Sequence, residues 1–180
     1  MLESLIKLLN YYKGLGEKTF EQLDEEALMI EPSEGVNSIS VIVKHLHGNM
    51  LSRWTNFLSE DGEKEWRDRD EEFRSTIKTK EEMILKWSEG WSCVINTMES
   101  LREEDLKNVV YIRNEGHSVL DAIHRQLAHY AYHVGQIVYL GKLIKGEEWS
   151  SLSIPRNKSE EYNQKKFSEE VGQRHFTEDV

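Results

Sequence analysis

The sequence predicts an all-α fold, a four-helix bundle with long loops and a C-terminal tail. Three observations carry this. Four segments repeat apolar residues at helical spacing, no segment alternates apolar and polar residues convincingly enough for a strand, and 180 residues suffice for one continuous core. Residues 1–160 read as a single domain and 161–180 as a polar tail.

The first helix covers residues 2–23, with Leu5, Leu8, Leu9, Tyr12, Leu15, Phe20 and Leu23 on a broad apolar face. Residues 24–37 contain Pro32, Gly35 and several acids, and read as a loop. Asn37 or Ser38 caps a second helix running to about Ser59, whose core face is Ile39, Val43, Leu46, Met50, Trp54 and Phe57. Ile42, His45, Asn49, Ser52 and Asn56 form a mostly polar stripe beside it.

Residues 60–78 turn sharply charged and lose the helical period, which predicts a long excursion. Trp66 and Phe73 are costly to expose and are expected to pin it to the bundle, as in loops that act as lids. Thr79 and Glu82 form a capping box for the third helix, which continues through Met83, Trp87, Trp91, Val94, Met98 and Leu101. Residues 102–117 connect, with an extended piece at 109–112. The fourth helix opens at Ser118, ends at Lys145 and is stopped by Gly146. Beyond it Trp149, Leu152 and Ile154 can pack across the bundle, and the last ten residues are expected to be poorly ordered.

Composition narrows the function. A net charge of −10 argues against nucleic acid as a partner, because phosphate binding needs clustered Lys and Arg. No apolar run approaches the ~20 residues that span a bilayer, and the N-terminus lacks a basic n-region with a cleavable apolar stretch, so the expected location is cytoplasmic. One cysteine, Cys93, excludes an internal disulfide and a Cys-based zinc framework.

The chemistry gathers on the fourth helix. Ala122, Gln126, His129, His133, Gln136 and Leu140 form a stripe beside the apolar one of Leu120, Ile123, Leu127, Ala131, Val134 and Val138. His129 and His133 lie one turn apart, about 6 Å, so both can reach one cation, and Gln126 and Gln136 can hold ring nitrogens or a water. In a bundle, ligands project inward from facing helices, so His45 can join them; His47 sits about 200° around the second helix and cannot share the site. Three imidazoles with one open position make the catalytic type of zinc site. A His-Glu-x-x-His protease motif is excluded by Tyr130, and a di-iron site needs two Glu-x-x-His motifs that are missing.

The segment Val43-Lys-His45-Leu-His-Gly48-Asn49-Met-Leu-Ser-Arg53-Trp54, paired with Arg125-Gln126-Leu-Ala-His129-Tyr-Ala-Tyr-His133-Val-Gly135-Gln136, resembles the DinB-like superfamily. With the loop Asp61-Gly62-Glu63-Lys64, the chain is similar to a bacterial subgroup of uncharacterised proteins within it. The resemblance implies an up-down-down-up bundle, often a homodimer, holding a divalent metal, zinc or nickel foremost, on the residues that match by position: His45, His129 and His133. Two functions fit these residues. One is a metal-dependent S-transferase joining a low-molecular-weight thiol to an electrophile, with Asn49, Arg53, Gln126, Gln136, Arg67 and Arg69 as supporting or substrate-binding candidates. The other is a non-enzymic metal- or small-ligand-binding dimer of stress response. For the arginines, ion pairing to nearby acids is the competing explanation.

Overall fold

Small polar residues set where most of the helices start. The computed structural model describes residues 1–179 and has six α-helices and one hairpin among them: α1 (Leu2–Glu21), α2 (Glu25–Met29), α3 (Ile39–Trp54), α4 (Lys80–Ser100), β1 (Val109–Ile112), β2 (Glu115–Ser118), α5 (Val119–Lys145) and α6 (Ser159–Phe167). Ser38, Thr79 and Ser118 each accept a hydrogen bond from the backbone N–H three residues on, at Val41, Glu82 and Asp121. The reciprocal half of the expected capping box is displaced: the Glu82 carboxylate accepts from the N–H of Lys78, not of Thr79. Gly146 ends α5 with a φ of 60°, a left-handed value that costs a glycine nothing.

The all-α expectation stands, with a two-stranded sheet added. α1 packs against α5 and α4, and α3 against α4 and α5, around one core that includes Leu9, Leu46, Met50, Trp54, Trp87 and Ile123. Trp87 and Trp91 are core residues, 2% and 0% exposed.

Several boundaries differ from the sequence reading, each for a local reason. The 24–37 segment contains α2, because Asp24 accepts from the N–H of Ala27 and the turn buries Ala27 and Leu28. α3 stops at Trp54, five residues early, and Asn56 then takes a φ of 51°; Phe57 stays buried through the turn. The extended piece at 109–112 is β1, paired antiparallel with β2 through Arg113 and Asn114, both at positive φ as a tight hairpin turn requires. On α5, Tyr130 and Ile137 are fully buried while Leu120, Leu127 and Val138 are only partly so. The Tyr130 hydroxyl accepts from the Trp54 indole N–H at 2.7 Å, so two polar groups enter the core already paired.

Toward the C-terminus, Trp149 and Leu152 are half-buried and Ile154 is exposed. The tail does not hang free: His175 meets Ser4 at 3.1 Å, Glu178 meets Lys7 at 2.8 Å and Phe176 packs edge-on against Tyr11. Residue 160 lies inside α6, and Val180 is outside the described residues.

The loop of Asp61, Gly62, Glu63 and Lys64 joins the end of α3 to the hairpin. The Asp61 carboxylate accepts from the N–H groups of Arg113 and Asn114, both at 2.8 Å, and the Gly62 N–H donates to the carbonyl of Tyr111. Ser52 and Arg53, from the last turn of α3, both donate to the Gly62 carbonyl. Five backbone groups are satisfied there.

Candidate metal centre

α3 and α5 bring His45, His129 and His133 together. One ring nitrogen from each lies within 4.8 Å of the others, and among the described residues this is the group of three ionisable side chains able to hold a metal ion. The Nε2 atoms of His45 and His129 face each other at 3.3 Å. A tetrahedral centre with metal–nitrogen bonds of about 2.0–2.1 Å separates its ligand nitrogens by about 3.3–3.4 Å, so this edge already has the required length.

Two of the rings are held from behind. The His45 Nδ1–H donates to Glu72 at 2.8 Å, and the His133 Nδ1 pairs with the Gln136 side-chain oxygen at 2.7 Å. Such contacts fix the tautomer and turn the other nitrogen toward the shared space. Gln136 thus holds a ring nitrogen, whereas no ring nitrogen reaches Gln126 and the buried Nδ1 of His129 has no partner among the described residues.

His129 and His133 are also neutral. Burial, followed by the charges that His133 and His45 would carry, pushes His129 down to about 3. Burial and the neighbouring His45 push His133 down to about 4, against the hydrogen bond that its Nδ1–H donates to Gln136. Both imidazoles therefore offer lone pairs near neutral pH, the form a cation needs. The donor set, its spacing and its orientation fit a divalent transition metal.

Glu72 is the residue that sequence reasoning missed. It sits in a 3₁₀ turn, Glu71–Phe73, within the charged excursion, and carries no periodic signal. Three features put it there. Lys44 on α3 donates to the carbonyls of Glu71 and Arg74 and clamps the turn. Phe73 stacks on the His45 ring, 4.7 Å between centroids at 25°. Gly48, one helical turn after His45, leaves the space that the Glu72 carboxylate fills, and a Cβ at that position would collide with it. Phe73 pins the loop to the bundle as expected, whereas Trp66 is 59% exposed and does not.

Behind His45 runs a chain of paired charges. Glu72 takes two hydrogen bonds from Arg67, at 2.7 and 2.9 Å; Arg67 also reaches Glu63 at 3.2 Å, and Glu63 accepts from Arg53 at 2.9 Å and Arg113 at 3.2 Å. Burial would raise the Glu72 pKa, but the hydrogen bonds from His45 and Arg67 prevail and hold it below the usual carboxylate value. For Arg53 and Arg67, then, ion pairing is what the structure shows.

A cavity of about 370 Å³ opens beside the three histidines, and Asn49, Arg53, Arg67, Arg69 and Gln126 line it with them, as do Arg113, Arg125 and Tyr132. Gln136 lies outside it, behind His133. His47 points away, to Glu89 on α4.

Fold and site together define a mostly helical protein with a three-histidine cluster that could hold a metal ion. Residues 1–158 match the family model described as protein of unknown function (DUF1572), and the chain belongs to that family. No curated protein and no solved structure gives a significant match. No helix among the described residues is long and apolar enough to cross a membrane.

Proposed function

We propose that the protein is a cytoplasmic, DinB-like four-helix bundle whose three histidines hold zinc or nickel and which transfers a low-molecular-weight thiol to an electrophile. The observation that carries this reading is an open site: three imidazoles converge from two helices, and the space next to them is a cavity and not a fourth protein ligand. A divalent cation bound there would lower the pKa of a thiol into the neutral range.

The chain's own residues account for the rest. Glu72 and Gln136 aim two of the rings, and the Arg67 ion pairs keep Glu72 in place. Phe73 covers His45 on the loop side and excludes water from that face. The thiol proton leaves to solvent, the sulfur bonds to the electrophilic carbon, and the leaving group departs through the open cavity. The homodimer belongs to the proposal as well: Tyr132, Tyr139 and Leu143 follow one another along an outer stripe of α5 and are 64%, 67% and 57% exposed.

The test pairs metal analysis with turnover. Untagged wild type should hold about one equivalent of transition metal, and a His129→Ala/His133→Ala variant should hold none. The loaded wild type should couple a small thiol to a chloronitrobenzene with release of chloride. Metal bound without any thiol coupling across a panel of thiols would favour the non-enzymic binding dimer. No metal in the wild type after reconstitution would end the transferase reading and leave only a small-ligand-binding dimer.

A further inference from the structure

The cavity beside the histidines carries more positive charge than its surroundings explain. The chain has 33 acidic and 23 basic side chains, yet two arginines on the cavity wall lack an acidic partner among the described residues. Arg69 is held with its guanidinium 5.1 Å from the centroid of Phe73, the ring that stacks on His45. Arg125, in the second turn of α5, touches only the His117 ring, at 3.5 Å. With acids this abundant, arginines are readily neutralised, as Arg53 and Arg67 are.

A second, independent feature lies deeper. Asn49 and Gln126 are 5% and 4% exposed, both line the cavity, and neither amide makes a hydrogen bond to another described residue. A buried amide left unpaired is costly, so such groups normally meet a ligand or an ordered water.

We propose that this cavity binds a small organic anion, its carboxylate or phosphate terminus held by Arg69 and Arg125 and its hydroxyl or amide groups met by Asn49 and Gln126. The volume, about 370 Å³, is at the small end for ligand sites and admits a metabolite-sized molecule. Guanidinium groups pair with either oxyanion through two parallel N–H donors. The inference names the substrate class of the site described above and rests on that reading only for which group of the anion reacts at the histidines.

Calorimetric titration of the full chain, metal-free and zinc-loaded, tests it with three probes: succinate, inorganic phosphate and the uncharged succinamide. At least one anion should bind both forms and succinamide neither, and the preferred anion identifies the terminus. An Arg69→Gln/Arg125→Gln variant should weaken that binding by about tenfold or more, with zinc stoichiometry and melting curve unchanged, since both residues are exposed. A charge-matched Arg102→Gln/Arg156→Gln variant, altered outside the cavity, should bind as the wild type does. Equal binding by the Arg69/Arg125 variant, binding of succinamide, or no binding of either anion would overturn the proposal. Anion binding in a chain that takes up no zinc would uphold it while removing the metal reading.

Discussion

Glu72→Gln is the most informative single change, because it keeps the shape of the side chain and removes only its charge. Glu72 is buried, with 7% of its side chain exposed, and answers two groups at once: the His45 Nδ1–H and the Arg67 guanidinium, whose side chain is 2% exposed. Removing one partner of a buried ion pair costs about 3–5 kcal/mol when the other is stranded. Here Arg67 retains Glu63 at 3.2 Å and the glutamine keeps one acceptor oxygen, so the expected loss is nearer 2–3 kcal/mol. A second effect is separate from stability. One oxygen cannot serve both Arg67 and His45 as two did, and a carboxamide NH₂ turned toward the ring meets an N–H. His45 either rotates or exchanges tautomer, and metal affinity falls by about 10–100-fold. Urea unfolding of the metal-free protein measures the first quantity, and zinc competition against a chromophoric chelator the second. A variant with the expected loss of stability but wild-type zinc affinity would show that Glu72 braces the loop and does not aim His45.

Two further changes probe the same geometry from other sides. Gly48→Ala adds a methyl where the Glu72 carboxylate lies; helix propensity alone would stabilise α3 by about 1 kcal/mol, yet zinc affinity should drop about tenfold as Glu72 is displaced, and a purely stabilising outcome would contradict the packing described. Acid should weaken the metal-free protein in a defined window. His129 and His133 are depressed from 6.5 to about 3 and about 4, so the unfolded chain takes up their protons first. Their contribution is complete above the unfolded value of 6.5 and is lost as pH falls from there through about 4 and 3, with Glu72 and Glu63, both held below 4.5, adding their losses at the lower end. Urea midpoints that stay flat between neutral pH and pH ~5 would contradict the burial of the two rings.

The three histidines were legible because each lies on a long periodic helix. Once the core face of α3 is known, His45 and Asn49 can stand on only one side of it, and a four-residue interval fixes His129 and His133 relative to each other. Ser38, Thr79, Ser118 and Gly146 marked helix ends for a similar reason: a cap is a local contract between one side chain and a backbone group three residues away. Glu72 was illegible because its position depends on contacts 27 residues distant in sequence, from His45 and Lys44, and on a gap left by a glycine in another element. Tyr130 was passed over on helical phase: α5 has neighbours on two sides, and the residue between the two expected stripes is the one that faces the core.

The charged excursion shows how one composition serves two physical ends. Read as a run, residues 60–78 look like a solvated surface, and for Asp68, Asp70 and Arg74, all exposed, that is what they are. Its inward members do the opposite. Glu63, Arg67 and Glu72 form an alternating chain of charges that ends on a histidine, in which each group is desolvated and each is answered. Such a chain adds little net stability over a well-packed apolar plug, since desolvation offsets most of the attraction. What it supplies is position: an apolar plug could cover His45 but could not accept its Nδ1 proton. Arg69, next to this chain and outside it, is left with only an aromatic face beneath it. The loop thus spends its acids on aiming the ring and leaves one cation uncompensated beside the cavity, a division of charge expected where the missing counter-ion arrives with a ligand.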